Sequence, residues 1–327
     1  MYDFLSGFFP HFWLFPFFVF VLSLAMLVKS ADFFVDFSER IGLKIGIPSF
    51  VVGVVVVGIG TSLPEFATSL AAIFSSTPGN DLTDIVSANV IGSNVANILL
   101  GVGIASFFRV VKVDRNLSDN DLPFLFGSTA VAILFLSDGI LSFGEGIILT
   151  TMFAVFLVFS IFSNEEEVDA ETRKHAKHDS FWFLFPAILA SGVAIIASAD
   201  VTVSSLIAAA PTFGIGKDVA AMFLLAVGTS FPEIFVSVVA VRRGNAGLAL
   251  GNILGSNIGN ALGILGISAL FAPIAVSEKS LWVGIPFLAI ATFFFIISTL
   301  DNRVRVWEGV MAVAIFAAFL GKLFEIF

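Results

Sequence analysis

Hydrophobic residues occur along this chain in long runs that short polar stretches separate. A helix that crosses the hydrocarbon core of a bilayer needs about 20 mostly apolar residues, and the runs reach that length. They therefore predict an all-α integral membrane protein with ten transmembrane helices. The predicted spans are residues 12–30, 45–75, 82–108, 121–137, 142–162, 181–206, 217–241, 246–271, 280–299 and 304–326.

The second run is too long for one straight span. At about 1.5 Å per residue, a helix over residues 45–75 would reach about 46 Å, whereas the hydrocarbon core is about 30 Å thick. A break or a strong tilt is therefore predicted. Residues 164–180 form the one sizeable polar stretch of the sequence. They divide the spans into two groups of five and are predicted to be a solvated connector.

Basic residues are distributed unequally between the two sides of the predicted bundle. Of the 16 Lys and Arg residues, only Lys217, Lys279 and Lys322 fall in one set of alternate loops, and the other 13 fall in the opposite set. Cytoplasmic loops carry the excess of basic residues in membrane proteins. We therefore expect both termini outside and the 164–180 connector in the cytoplasm.

The two halves of the chain repeat each other. "GTSLPE" at 60–65 recurs as "GTSFPE" at 228–233, and "NVIGSNVAN" at 89–97 recurs as "NILGSNIGN" at 252–260. Because five spans is an odd number, the second group must cross the membrane in the opposite sense. Inverted repeats are typical of secondary transporters, whose substrates bind at the repeat interface. The predicted domains are 1–163, with its motif region at 58–103, and 181–327, with its motif region at 226–266.

Composition limits the possible chemistry. Charged residues make up 13% of the chain, about half the share found in soluble domains. The chain contains no cysteine, which excludes disulfides, thiol catalysis and thiolate metal sites. His11, His175 and His178 fall near span ends or in the polar loop, which argues against a histidine metal site. We predict that the chain lies in a lipid bilayer and has no cofactor, no nucleic-acid partner and no obligate protein partner.

Each repeated motif places oxygen atoms at membrane depth. Proline lacks an N–H and clashes with the carbonyl four residues back, so Pro64 and Pro232 free backbone carbonyls in both motifs. Such carbonyls are tolerated only inside the protein or beside a polar cavity. Thr61 and Glu65 are four residues apart and therefore share a helix face. The second motif has the same spacing.

These groups are all hard oxygen donors. The second motif supplies Thr229 and Glu233, and the motifs add the hydroxyls of Ser62 and Ser230. Calcium takes about 6–8 oxygen ligands, which two facing motifs supply more readily than one. A charged residue at membrane depth costs at least about 2.5 kcal/mol, and this chain has two at related positions. Glu65 and Glu233 are therefore predicted to bind a cation.

The "GSN" segments add further oxygen atoms. Ser93 and Asn97 lie four residues apart and face one way, and Ser256 and Asn260 repeat this arrangement. The neighbouring glycines permit close helix approach. A role in ion ligation and a role in helix packing are both open for these segments.

Other acidic residues have structural interpretations. Asp32 and Asp200 are repeat-related, fall near the ends of their predicted spans, and are expected to form interfacial or interhelical hydrogen bonds. Asp81, Asp84 and Asp218 stand at predicted helix starts, where a carboxylate caps free N–H groups.

The two "GTSxPE" motifs, each followed by a "GSN" segment, resemble the α-repeats of the sodium/calcium exchangers, a family of the cation/calcium antiporter superfamily. The compact prokaryotic members are the most similar, and the resemblance covers the whole chain. It implies an antiporter in a prokaryotic plasma (inner) membrane, whose first and sixth spans slide to expose the site alternately. It also implies that Ca²⁺ is held by Glu65 and Glu233 with the carbonyls of Thr61 and Thr229. Sodium ions would be held by Ser62, Ser230, Ser93, Ser256 and the carbonyls of Gly58 and Ala226.

One position departs from the family pattern. Many relatives have an aspartate where this chain has Asn260, and the equivalent Asn97 is also neutral. The central site then has two formal negative charges, enough to neutralise one Ca²⁺. In the family, the neutral version accompanies exchangers that do not require potassium, so potassium-independent exchange is expected here.

Three alternatives differ in function. A Ca²⁺/H⁺ or broader cation/proton antiporter could use the same fold, because buried glutamates can carry protons. A cation channel would normally line its pore with rings from symmetric subunits, whereas this chain has inverted repeats. An intramembrane enzyme is disfavoured because the spans contain no nucleophile and base pair.

Overall fold

The computed structural model describes residues 15–77, 81–112, 121–162, 180–209, 227–301 and 303–326. The predicted site residue Ala226 lies outside these ranges, as do Lys217, Asp218 and residues 164–179 of the predicted connector. The three histidines also lie outside them.

Helices dominate the described residues. In chain order they are α1 (Phe15–Ile45), α2 (Ser49–Ser75), α3 (Asp84–Phe108), α4 (Asp121–Leu136), α5 (Phe143–Phe162), α6 (Phe181–Ala209), α7 (Phe231–Arg242), α8 (Ala246–Ala269), α9 (Ser280–Thr299) and α10 (Val306–Leu323). Eight of them are long and apolar enough to cross a membrane. The shorter α4 is also apolar, and the seventh predicted span is described only from residue 227. The ten-helix, all-α prediction is confirmed.

The first helix is longer than its hydrophobic run predicts. The run ends at residue 30, but α1 continues to Ile45. Buried residues recur every three or four positions from Phe15 to Gly42, so one stripe of the helix packs against the protein along its whole length. Asp32 therefore lies in the interior of a helix that continues beyond the hydrophobic run.

The second segment of α2 and the helix α7 begin at equivalent backbone breaks. In α2, the π-helical turn Gly53–Gly58 precedes a break at Ser62 (φ −81°, ψ 4°), and Pro64 lies in the first turn of the next segment. Ser230, before α7, has nearly the same backbone angles (φ −82°, ψ −2°). The break predicted in the second span is confirmed. Each break places the following glutamate in the first turn of a helical segment.

The first half of α2 packs against α8 with almost no side chain between the two backbones. A methyl group on Gly58 would lie 2.8 Å from the backbone nitrogen of Ser256, a distance that real Cβ atoms essentially never show. The glycine therefore permits the close approach. Equivalent π-helical turns also occur in α3 (Asn97–Val102) and α8 (Gly259–Ile264), and such turns are frequent at functional sites.

Two short antiparallel ladders join loops at opposite ends of the bundle. β1 (Val111–Lys112) pairs with β4 (Arg303–Val304), and β2 (Ile140–Leu141) pairs with β3 (Ile274–Ala275). The repeat relationship maps β1 onto β3 and β2 onto β4, so it exchanges one ladder with the other. This exchange is what inverted repeats require.

The helices α1 and α6 pack along each other at the side of the bundle. The hydroxyl of Thr202 donates to that of Ser23 at 3.1 Å, and the rings of Phe37 and Phe183 meet edge to face at 5.9 Å. About a third of each helix is buried, whereas the membrane-spanning window of α8 is entirely buried. The core of the molecule therefore lies around α2, α3, α7 and α8.

Candidate cation site

Two buried carboxylates form the centre of the candidate site. Glu65 and Glu233 are both fully buried, each in the first turn after its helix break. The two motifs meet here, because Ser62, three residues before Glu65 in the chain, donates a hydrogen bond to the Glu233 carboxylate. Two adjacent carboxylates in a low-dielectric interior repel strongly. Their arrangement therefore favours a bound cation or a proton between them.

Each repeat surrounds the carboxylate of the other with hydroxyl groups. The hydroxyl of Ser62 donates to Glu233 Oε1 at 3.2 Å, and Thr61 lies beside the same carboxylate. In the reverse direction, Thr229 lies beside Glu65. The predicted site residues of the two motifs thus converge in one place. They form a single site shared by the repeats.

Ser93 joins the same group from α3. Its hydroxyl and that of Thr229 are 3.2 Å apart and share a hydrogen bond, and both side chains lie beside Glu65. The third helix of the first repeat therefore reaches the motif of the second repeat. Ser93, which was predicted to share a helix face with Asn97, thus faces the two motifs.

Several oxygens near the centre are buried and have no hydrogen-bond partner within the described residues. They are both carboxylate oxygens of Glu65, Oε2 of Glu233, the hydroxyl of Ser230, and the amide oxygens of Asn97, Asn257 and Asn260. An unpaired buried polar atom costs about 1–3 kcal/mol, so such a concentration is not explained by packing. These oxygens are hard donors, which fits a cation such as Ca²⁺ or Na⁺. The amide nitrogen of Asn97 is also unpaired among the described residues.

Two of the predicted sodium ligands contact each other. The hydroxyl of Ser256 donates to the backbone carbonyl of Gly58 at 3.1 Å, and the Thr61 hydroxyl lies 3.4 Å from the same carbonyl oxygen. Thr61 also donates to the carbonyl of Val57 at 3.0 Å. These oxygens lie next to the carboxylates on the α2 and α8 side of the site.

The buried asparagines of α3 and α8 form a link across the repeats. Asn260 donates to Asn94 Oδ1 at 3.0 Å, and Asn94 donates to the backbone carbonyl of Asn257 at 3.0 Å. The side chain of Asn97 has no hydrogen-bond partner among the described residues. Asn94 and Asn257 were not predicted from the sequence. Both are the amides of the repeated "GSN" segments at membrane depth, and this recurrence could have indicated them.

Two further asparagines, which were also not predicted from the sequence, donate hydrogen bonds to the backbone carbonyls of the two glutamates. Asn252 donates to the carbonyl oxygen of Glu233 at 2.9 Å and to the Ser237 hydroxyl at 2.8 Å. In the first repeat, Asn89 donates to the carbonyl oxygen of Glu65 at 3.2 Å. Both residues begin the repeated "NxxGSN" segments, so their recurrence was visible in the sequence.

Two cavities reach Thr229, which lies beside the Glu65 carboxylate. One, of about 600 Å³, is lined by residues that include Pro64, Asp200 and Thr229. The other, of about 470 Å³, is lined by residues that include Ser93, Thr229 and Lys279. Lys279 belongs to the set of loops predicted to face outside. The second cavity therefore approaches the site from the predicted external side.

The remaining acidic residues have distinct surroundings. Asp32 accepts a hydrogen bond from Arg243 Nε at 2.7 Å, and this bond raises the pKa of Arg243 above its usual value. Asp200 is exposed and lines the larger cavity. Asp81 accepts a hydrogen bond from the backbone N–H of Thr83 at 2.9 Å, which lowers the pKa of Asp81.

Comparisons with known proteins agree on one group. A family model described as "Sodium/calcium exchanger protein" matches residues 15–162 and 183–324. The sodium/calcium exchanger MaX1 of Methanosarcina acetivorans is 32% identical, with 95% of this chain and 99% of that protein covered. The putative antiporter CaxA of Alkalimonas amylolytica is 28% identical, with 94% and 98% covered. A solved structure of the sodium-calcium exchanger NCX_Mj soaked with Na⁺ and Sr²⁺ has a TM-score of 0.79 at 28% identity, covering 94% of this chain and 99% of that one.

Proposed function

The chain belongs to the sodium/calcium exchanger family, and on that premise we propose that it exports Ca²⁺ from the cell against an inward flow of Na⁺, without K⁺. The observation that carries the proposal is the pair of fully buried carboxylates, Glu65 and Glu233, surrounded by unpaired oxygens from both repeats. The members of this family are transporters, so no covalent chemistry is required of the site.

Calcium would bind between the two carboxylates. Their two negative charges neutralise one Ca²⁺, and the backbone carbonyls of Thr61 and Thr229 would complete its ligands. Sodium ions would bind on either side, at the hydroxyls of the four motif serines and at carbonyls from both repeats. These flanking ligands are Ser62, Ser230, Ser93, Ser256 and the carbonyls of Gly58 and Ala226. Because both ions need the same carboxylates, occupancy by one excludes the other and couples their movement.

The neutral side chains at Asn97 and Asn260 support potassium independence. Both are fully buried beside the central oxygens. With no third acid, a bound Ca²⁺ leaves no negative charge in the site for an additional K⁺. The proposed orientation places both termini outside and the 164–180 connector in the cytoplasm of a plasma membrane.

Calcium uptake by proteoliposomes tests the proposal. Vesicles loaded with Na⁺ and diluted into sodium-free buffer should take up radioactive Ca²⁺, whereas vesicles loaded with K⁺ or choline should not. Glu65→Gln and Glu233→Gln should each abolish this uptake while leaving the protein folded and monodisperse in detergent. Glu145→Gln is the matched control, because Glu145 is a half-buried residue in the first turn of α5 whose bonds to Ser142 a glutamine can retain.

Two results would overturn parts of the proposal. Uptake that follows a pH gradient and ignores internal Na⁺ would assign the coupling to protons on the same fold. Near-normal uptake in both glutamine variants would refute the assignment of the site to Glu65 and Glu233.

A further inference from the structure

We propose that Arg243 is a latch. It ties α1 to the loop between α7 and α8, favours the conformation seen here, and must release α1 before the site opens to the cytoplasm. The inference deepens the proposed function, because it concerns how that transporter alternates between its two open states.

The latch is one guanidinium between two carboxylates. Arg243 Nε lies 2.7 Å from Asp32 Oδ1, and a terminal nitrogen of Arg243 lies 3.0 Å from Asp36 Oδ1. Asp32 and Asp36 are four residues apart on α1 and therefore share a face. All three side chains are roughly one third exposed, so the ion pairs are only partly screened by water.

The loop that carries Arg243 is held rigidly. Gly244 has a φ of +85°, which other residues rarely adopt, and the Asn245 side chain accepts a hydrogen bond from the Leu248 N–H at the start of α8. Arg243 is therefore anchored to the core of the protein. α1, in contrast, contacts α6 more than it contacts any other described element. The ion pairs join the peripheral α1 and α6 pair to the core.

The equivalent position in the other half has no latch. Asp200 is related to Asp32 by the same offset of 168 residues that relates the "GTSxPE" motifs. The α2 to α3 connection, residues 76–83, contains no Lys or Arg that could correspond to Arg243. Among the described residues, Asp200 forms no ion pair, and it lines the 600 Å³ cavity. Among the described residues, the carboxylate without an ion pair is thus the one that lines the open cavity.

The latched side of the molecule is closed. Val35 and Thr61 correspond to Val203 and Thr229 in the lining of the open cavity. Val35 is fully buried and Thr61 is 4% exposed, whereas Val203 and Thr229 are half-buried. In an inverted repeat, the opposite conformation exchanges the surroundings of the two halves. Asp32 would then line an open cavity, as Asp200 does here, and its bond to Arg243 would be broken. The ion pairs can therefore form in only one of the two states.

Cysteine labelling measures this bias directly, since the natural chain has no cysteine. Ala197, on α6, lines the open cavity, and Ala197→Cys should react with a water-soluble maleimide in detergent and ion-free buffer. Adding Arg243→Gln should lower the ratio of open to closed protein about two- to fivefold, as expected when partly exposed ion pairs stop favouring the open state, and the labelling rate should fall with the open fraction. Arg242→Gln is the matched control, because the neighbouring Arg242 lies over the Phe108 ring.

A second variant removes the same ion pairs from the α1 side, so the test does not depend on correct folding of Arg243→Gln alone. Asp32→Asn with Asp36→Asn should reduce labelling by the same factor, and combining it with Arg243→Gln should give no further reduction. Unchanged labelling in both variants, or independent effects that multiply, would overturn the latch. The assay requires no transport, so a failure of Na⁺/Ca²⁺ exchange would refute the proposed function and leave this result standing.

Discussion

The two repeats carry nearly the same motif in different surroundings. In the first, Thr61 is 4% exposed and its hydroxyl donates to the Val57 carbonyl at 3.0 Å. In the second, Thr229 is half-buried, lines both cavities and shares a hydrogen bond with Ser93. The first motif is therefore packed on the closed side of the molecule, and the second lies along the access path.

This difference does not come from the motifs themselves. They differ only where Leu63 is replaced by Phe231, and both contain a break with nearly the same backbone angles, at Ser62 and Ser230. Among the described residues, the difference lies in the neighbours of the motifs: Thr61 contacts Asn252 of α8, whereas Thr229 lines both cavities. Exchange of those surroundings would close one side and open the other, which is the requirement of alternating access. The different surroundings of two nearly identical motifs are therefore what a transporter with alternating access requires.

Removal of the amides that hold the glutamates should affect the repeats unequally. Asn252 bonds the Glu233 carbonyl oxygen at 2.9 Å, whereas Asn89 bonds that of Glu65 at 3.2 Å. Asn252→Ala should raise the Ca²⁺ concentration for half-maximal uptake by about 10- to 100-fold, the usual effect of losing a group that orients a metal ligand. Asn89→Ala should have a smaller effect. Calcium titration of proteoliposome uptake measures both, and a larger effect for Asn89→Ala would contradict this ranking.

An added acid, placed in one repeat and then in the other, tests whether two carboxylates alone make exchange independent of K⁺. Asn260→Asp removes the donor to Asn94 Oδ1, whereas Asn97→Asp breaks no bond among the described residues. Both variants leave one negative charge uncompensated by Ca²⁺, so another cation should become necessary. We expect the dependence of uptake on Na⁺ or K⁺ to change severalfold in both, with a greater loss of thermal stability for Asn260→Asp. Ion dependence identical to the natural protein would remove the charge argument.

The smallest expected effects are changes in the free energy of unfolding when alanine replaces Gly60 or Gly228. An added methyl at Gly60 would meet no atom within 4 Å, whereas at Gly228 it would lie 2.9 Å from the Val203 side chain. Gly60→Ala should therefore be neutral or slightly stabilising. Gly228→Ala should lower the free energy of unfolding by about 1 kcal/mol, as mild overpacking does. Thermal unfolding in detergent compares them, and equal stabilities would show that the two motifs have the same surroundings.

Much of the architecture follows from the sequence. The ten hydrophobic runs predicted the ten helices, and the excess length of residues 45–75 predicted the break at Ser62. The repeated motifs predicted the inverted repeats and the family, and both predictions are confirmed. These features were readable because hydrophobic length and exact recurrence are local properties of the chain.

The missed features depend on contacts between distant residues. The extension of α1 to Ile45 was missed because its charged end lowers hydropathy, although its buried stripe continues. Asn89 and Asn252 were missed because helix spacing alone does not show which amide reaches a carbonyl on a neighbouring helix. The pairing of Asp32 with Arg243 joins residues 211 positions apart, and no local pattern indicates it. The ligand roles of the predicted site residues stay predictions.

Equilibrium binding of radioactive Ca²⁺ to the purified protein would show whether the two repeats share a single calcium site. A shared site should bind one calcium ion per chain, displaced by Na⁺, with binding lost in Glu65→Gln and equally in Glu233→Gln. Two calcium ions per chain, with half of the binding retained in each single variant, would show two independent sites instead of a shared one.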